Sequence, residues 1–133
     1  MRAAKSDFNN SDSSVNLADA HYNYNSIKLV RALEIDPNRQ TIRVLTISNL
    51  YEAIRAELGG RPKVCHHMPS GNRLYAMTDS GEGASFSIGC SLPIVGPALI
   101  VGKRGKGGMY ESSFADLDAV TKIVTFINAD RRH

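Results

Sequence analysis

The chain has no tryptophan, two cysteines and only 7% aromatic residues. With so few rings the core must be mainly aliphatic, and a broad stacking platform for single-stranded nucleic acid is disfavoured. No stretch approaches the roughly 18 consecutive apolar residues that a membrane-spanning helix needs. The basic residues Arg2 and Lys5 are not followed by an apolar run, so no secretory signal is legible and a cytoplasmic location is expected. The two signs of charge nearly balance: the net value of +3 is too small to imply nucleic acid by itself. Cys65 and Cys90 are expected as reduced, half-buried thiols, since free cysteine packs as a small hydrophobe.

What is present is ordinary globular material. The chain has 133 residues, 42% hydrophobic and 22% charged, enough for one domain with one core. Residues 1–25 are rich in Asn, Ser and Asp without apolar periodicity, which predicts a flexible N-terminal arm. Within it Tyr22 and Tyr24 are candidate anchors on a surface. Residues 26–133 are expected to form a single α+β domain.

Ile27, Leu29, Leu33 and Ile35 alternate with Lys28 and Glu34, which predicts a strand with one buried face. Asp36, Pro37 and Asn38 supply a turn, and residues 41–47 a second strand, so an antiparallel hairpin follows. Asn49 with Glu52 three residues later reads as a capping box. Leu50, Ala53, Ile54 and Leu58 then share a helical face that ends at Gly59 and Gly60. Short strands are expected at 63–67, 73–78 and around Phe86 and Ile88, with a buried strand at 98–101. Ser113 with Asp116 resembles a second capping box, and helical spacing runs to about residue 123. Residues 124–127 are β-branched and aromatic and fit either a continued helix or a terminal strand. The fold expected is α+β: a mainly antiparallel sheet of four to six strands, one helix after the first hairpin and one near the C-terminus.

The segment 102–108 is the most glycine-rich and basic loop, and Lys103, Arg104 and Lys106 are the candidate binding residues there. It lacks the Ser or Thr after lysine of a Walker A loop, and no helix opens within it as in a dinucleotide fingerprint. A solvated loop, or a basic contact surface for an acidic partner, ranks ahead of a phosphate cradle. Cys65, His66 and His67 form only one cluster, and on a strand the two histidines would point to opposite faces, so no metal is expected. No nucleophile elbow or triad pattern is legible, so no catalytic residue and no cofactor is assigned.

The order of these pieces carries a resemblance. The first hairpin leads into a helix opening Asn49, Leu50, Tyr51, Glu52, Ala53 and closing Leu58, Gly59, Gly60. Further strands lead to the run from Ile94 to Gly102. Over about residues 27–122 this resembles the domain of unknown function 3846 family, small proteins of phages, plasmids and other mobile elements. The family brings no established catalytic residue. The resemblance implies a setting: an accessory protein of a mobile element inside a bacterial host cell. The function expected is therefore a non-enzymatic binding protein that occupies a host protein, such as a CRISPR effector of host defence. The alternatives are sequestration of a nucleotide or other phosphorylated small molecule at 102–108, and weak nucleic-acid binding through Lys103, Arg104, Lys106, Arg131 and Arg132. A structural homodimer is also compatible with apolar edge strands.

Overall fold

A computed structural model describes residues 27–77 and 81–127. The arm with Tyr22 and Tyr24, and the basic pair Arg131 and Arg132, lie outside the described residues. Strand β1 (Leu29–Asp36) and β2 (Thr41–Ser48) form the expected antiparallel hairpin. The Asp36 carboxylate accepts the backbone N–H of Asn38 at 3.0 Å and so builds the turn between them. Helix α1 (Tyr51–Leu58) follows, then β3 (Pro62–His67), β4 (Arg73–Met77), β5 (Ser85–Ile88), β6 (Ile94–Val95) and β7 (Ala98–Val101). Helix α2 (Leu117–Ile123) runs directly into β8 (Val124–Ile127), which settles the terminal segment as a strand.

Five of the strands make one antiparallel sheet in the order β2-β1-β7-β4-β3. A second antiparallel sheet, β6-β5-β8, was not legible as a separate layer in the sequence. The architecture is α+β, with α1 after the first hairpin and α2 near the end of the described chain. None of the described helices is long and apolar enough to cross a membrane.

The central strands of the large sheet, β1, β7 and β4, are buried on both faces. Val30, Ala32, Tyr75, Leu99 and Val101 pack with Ile54 and Leu58 of α1 on one side. Leu33, Ile35, Leu74 and Ile100 pack with Phe86, Ile88 and Val120 of the second layer on the other. Strand β1 therefore does not have the single buried face its alternation suggested: it is apolar towards both layers, and Leu29, expected inside, is 69% exposed. A central strand between two covers reads as a continuous apolar run instead of an alternating one.

Both helix starts differ from the capping boxes expected. In α1 the N-cap position is Leu50, with no side-chain cap. Asn49 instead exchanges bonds with Lys28: its N–H donates to the Lys28 carbonyl at 2.9 Å, and its side-chain oxygen accepts from the Lys28 N–H at 3.3 Å. In α2 the cap is Asp116, whose carboxylate accepts the Ala119 N–H at 3.0 Å. Ser113 is fully buried and accepts the Ala115 N–H at 3.2 Å, outside the helix.

One contact fixes how the segment after β7 returns across the sheet. The Gly102 N–H donates to the Glu111 carbonyl at 2.9 Å. A Cβ on Gly102 would lie 2.5 Å from the Ser112 carbonyl oxygen and 2.7 Å from that of Glu111. Both are backbone atoms that cannot rotate away. Gly102→Ala is expected to destabilise the fold by about 1–3 kcal/mol through overpacking. A urea titration should show a lower midpoint at unchanged slope.

Candidate functional site

Residues 102–111 form a hairpin in which the N–H groups of Gly102, Gly105 and Gly108 bond its own backbone carbonyls. Beyond the Gly102 bond, the Glu111 N–H donates to the Lys103 carbonyl at 3.0 Å and the Gly105 N–H to the Met109 carbonyl at 2.7 Å. The Gly108 N–H closes the tip on the Gly105 carbonyl at 3.1 Å. These N–H groups are donors already spent within the turn, which weighs against a phosphate cradle, while Lys103, Arg104 and Gly107 are solvent-exposed.

The basic cluster is divided by the alternation of the hairpin, in which successive side chains take opposite faces. Lys103 lies over the turn of Pro69–Gly71, its stem 3.7 Å from where a Gly71 Cβ would be, and lines a cleft. Arg104 turns to the other face. Its guanidinium lies 5.2 Å from the Tyr110 ring centre and 6.0 Å from that of Tyr51, and its Nε donates to the Gly108 carbonyl at 2.8 Å. Lys106 sits in the short turn Lys106–Gly108 at the tip. Of the three candidates, Arg104 is a structural clasp and Lys103 faces a site.

Tyr110 completes that clasp. Its ring meets Tyr75 edge-on at 5.6 Å, and its N–H donates to the Asn49 carbonyl at 2.9 Å. Burial pushes the Tyr110 phenol up to about 12, Tyr75 adds to the rise, and the Arg104 cation pulls the other way.

The cleft that Lys103 lines encloses about 760 Å³. Its floor and walls come from the turn at Met68 to Asn72, from Gly102 and Lys103, from the 111–116 segment, and from Ala119, Val120 and Ile123 of α2. Lys28, at the entry to β1, also lines it. The lining is mostly apolar, with Lys28 and Lys103 opposed by Glu111 and Asp116. Neither lysine, nor Glu111, makes an ion pair among the described residues. The volume suits a drug-sized ligand or a few side chains of a partner.

Phe114 projects at the rim of this cleft and is 80% exposed, although the backbone carrying it is firmly held. Arg31 of β1 clamps both sides of it. Nη1 donates to the Ser113 and Ala115 carbonyls, each at 2.9 Å. The Arg31 N–H donates to the Ser112 hydroxyl at 3.0 Å, and the Ser113 N–H returns to the Arg31 carbonyl at 2.8 Å. Sequence reasoning missed Arg31, Phe114, Met68 and Ile123. The only trace of Phe114 in the sequence is a large apolar residue ahead of the α2 cap with no periodic partner.

Cys65 lies at the β-bulge between Val64 and His66, half-buried against the second core layer. Cys90 is exposed. Among the described residues no three His, Cys, Asp or Glu side chains gather as metal ligands would. No protein-family model matches the chain, and no similar curated protein or solved structure is found.

Two predictions follow from the clasp. Arg104→Ala should lower the urea midpoint, while Lys103→Ala, on the opposite face, should leave it unchanged within about 0.5 kcal/mol. Tyr110 binds its proton more tightly when folded than the usual value of about 10 allows unfolded. Its contribution to stability is thus complete below pH 10 and is lost as pH rises towards 12. Denaturation midpoints of the wild type and Tyr110→Phe, compared between pH 9 and about 11.5, should show a steeper alkaline fall in the wild type.

Proposed function

We propose that the protein is a non-enzymatic binding protein that docks on a partner protein through Phe114 and the adjoining cleft. The observation that carries this reading is the Phe114 ring, 80% exposed on a segment held to Arg31 by three hydrogen bonds to its backbone and one to the Ser112 hydroxyl. An exposed large ring on a rigid rim is the form of an interface anchor: its apolar surface is buried on binding, and little ordering entropy is lost. The cleft beside it provides room for a reciprocal side chain, and Lys103 and Lys28 bring cations without ion-pair partners among the described residues.

The resemblance to domain of unknown function 3846 supplies the setting in this reading. The protein would act for a mobile element inside a bacterial cell, with a host defence protein such as a CRISPR effector as its target. A second reading is favoured by the same two lysines: a phosphorylated small molecule could place its apolar part against Phe114 and its anion at Lys103. Nucleic-acid binding loses support, because Arg104 is engaged with Tyr51 and Tyr110.

The test is a pull-down from bacterial lysate with wild-type, Phe114→Ala and Lys103→Ala proteins, followed by titration of the captured protein in purified form. Phe114→Ala should weaken binding at least tenfold, equivalent to about 1.4 kcal/mol, and Lys103→Ala by less. Equal binding by all three would remove the cleft from the argument. Stabilisation of the wild type by a nucleoside phosphate, absent in Lys103→Ala, would move the conclusion to the second reading.

A further inference from the structure

Each sheet ends in strands whose outer side pairs with no strand among the described residues, and these edges are not alike. Strand β6 has two residues and β8 has four. Strand β3 opens on Pro62, carries Lys63 and is broken by the bulge at Cys65. Short length, proline, lysine and a bulge all keep an edge from recruiting another strand. Strand β2 has none of these protections. It runs eight residues in unbroken register with β1, and Val44 on it is 43% exposed.

The hydrogen-bond alternation identifies what this edge offers. The Asn49 N–H donates to the Lys28 carbonyl at 2.9 Å, and in an antiparallel ladder the bonded pairs recur at every second residue. Val30–Ile47, Ala32–Leu45, Glu34–Arg43 and Asp36–Thr41 are therefore the pairs that bond β1 to β2. The alternate residues of β1 turn the other way, and Arg31 does so: its N–H and carbonyl bond Ser112 and Ser113. In β2 the alternate residues are Ile42, Val44, Thr46 and Ser48. Their N–H and C=O groups face outward, with no strand among the described residues to receive them.

Such an edge takes another extended backbone, and β2 is complementary to itself. A two-fold axis at Leu45 sets Ile42 opposite Ser48 and Val44 opposite Thr46, so every outward residue of both copies is bonded. About eight inter-chain hydrogen bonds result. Val44 meets a β-branched threonine, and Leu45 meets Leu45 of the other copy at the closer, non-bonded position. Arg43 is the only charged residue of the strand; its guanidinium is paired with Glu34 at 2.6 Å and falls opposite Ile47 of the other copy. No like charges are opposed, and the closed symmetry uses up both edges.

We propose that the protein forms a two-fold dimer by antiparallel pairing of β2 with β2 of a second copy, which joins the two large sheets into one. No residue of β2 lines the cleft, so Phe114 stays open to a partner in the dimer.

The contact is small, so self-association of the full chain is read by sedimentation velocity from about 1 μM to about 1 mM. The sedimentation coefficient should rise from monomer to dimer across that range. Amide exchange at Ile42, Val44, Thr46 and Ser48 should slow by about tenfold over the same range, while Arg43, Leu45 and Ile47, already bonded to β1, change little. Val44→Pro removes an outward N–H without touching a bond to β1, and Val44→Lys sets two ammonium groups diagonally across the two-fold axis. Both variants should stay monomeric at the highest concentration. Val44→Lys should keep the wild-type urea midpoint in dilute solution, which separates lost pairing from lost folding. A wild type that is monomeric throughout overturns the proposal. So does a dimer in which those four amides exchange freely, since it then forms elsewhere. Protection of the same amides in the monomer also overturns it, because another segment of the chain then holds the edge. Phe114→Ala should dimerise as the wild type does; loss of the dimer in that variant would place the contact at the cleft instead.

Discussion

With Ala98, Leu99, Ile100 and Val101 all buried, β7 sends apolar side chains to both faces of the large sheet, and each face therefore needs a cover. Strands β1 and β4 flank it and extend both apolar surfaces. Helix α1 covers one of them; the β6-β5-β8 sheet with α2 covers the other. Each fully buried aliphatic side chain contributes about 1.5–3 kcal/mol by leaving water. The two-sided demand of β7 thus sets the layer order, and the remaining chain has to run between layers.

That passage creates the site. After β7 the chain turns at Gly102, where backbone approaches backbone too closely for any Cβ, and returns along itself to residue 111. It then crosses the edge of β1, where Arg31 takes the carbonyls on either side of Phe114. The segment between hairpin and α2 belongs to no strand, and its backbone finds partners in Arg31 and the Ser113 hydroxyl, while the Ser112 hydroxyl accepts the Arg31 N–H. The ring of Phe114 cannot join either core layer from this position and is left at the cleft rim.

The sequence displayed the local elements well. The first hairpin, the glycine end of α1, the buried 98–101 strand and the short strands expected at 63–67 and 73–78, found as Pro62–His67 and Arg73–Met77, follow from periodicity and turn residues. It showed the site poorly. Three cations in four positions looked like one patch, yet a hairpin sends neighbours to opposite faces, and Arg104 stacks on Tyr51 and Tyr110 while Lys103 faces the cleft. Arg31 carried no signal in the sequence, because its partners lie more than eighty residues away. The capping boxes misled for a similar reason: Asn49 is used by the start of β1 and the hairpin, and Ser113 by the crossing segment.

By itself the sequence determined the α+β class, the approximate places of most helices and strands, and the absence of a strong charge signal, because these depend on residues within a few positions of one another. Only the tertiary structure decided that the strands divide into two sheets and that the basic loop splits between two faces. It also decided that Phe114, Lys28, Lys103 and Ile123 meet around one cleft. Those outcomes depend on which distant segments share a layer, and that is set by the burial of both faces of β7 rather than by any local pattern.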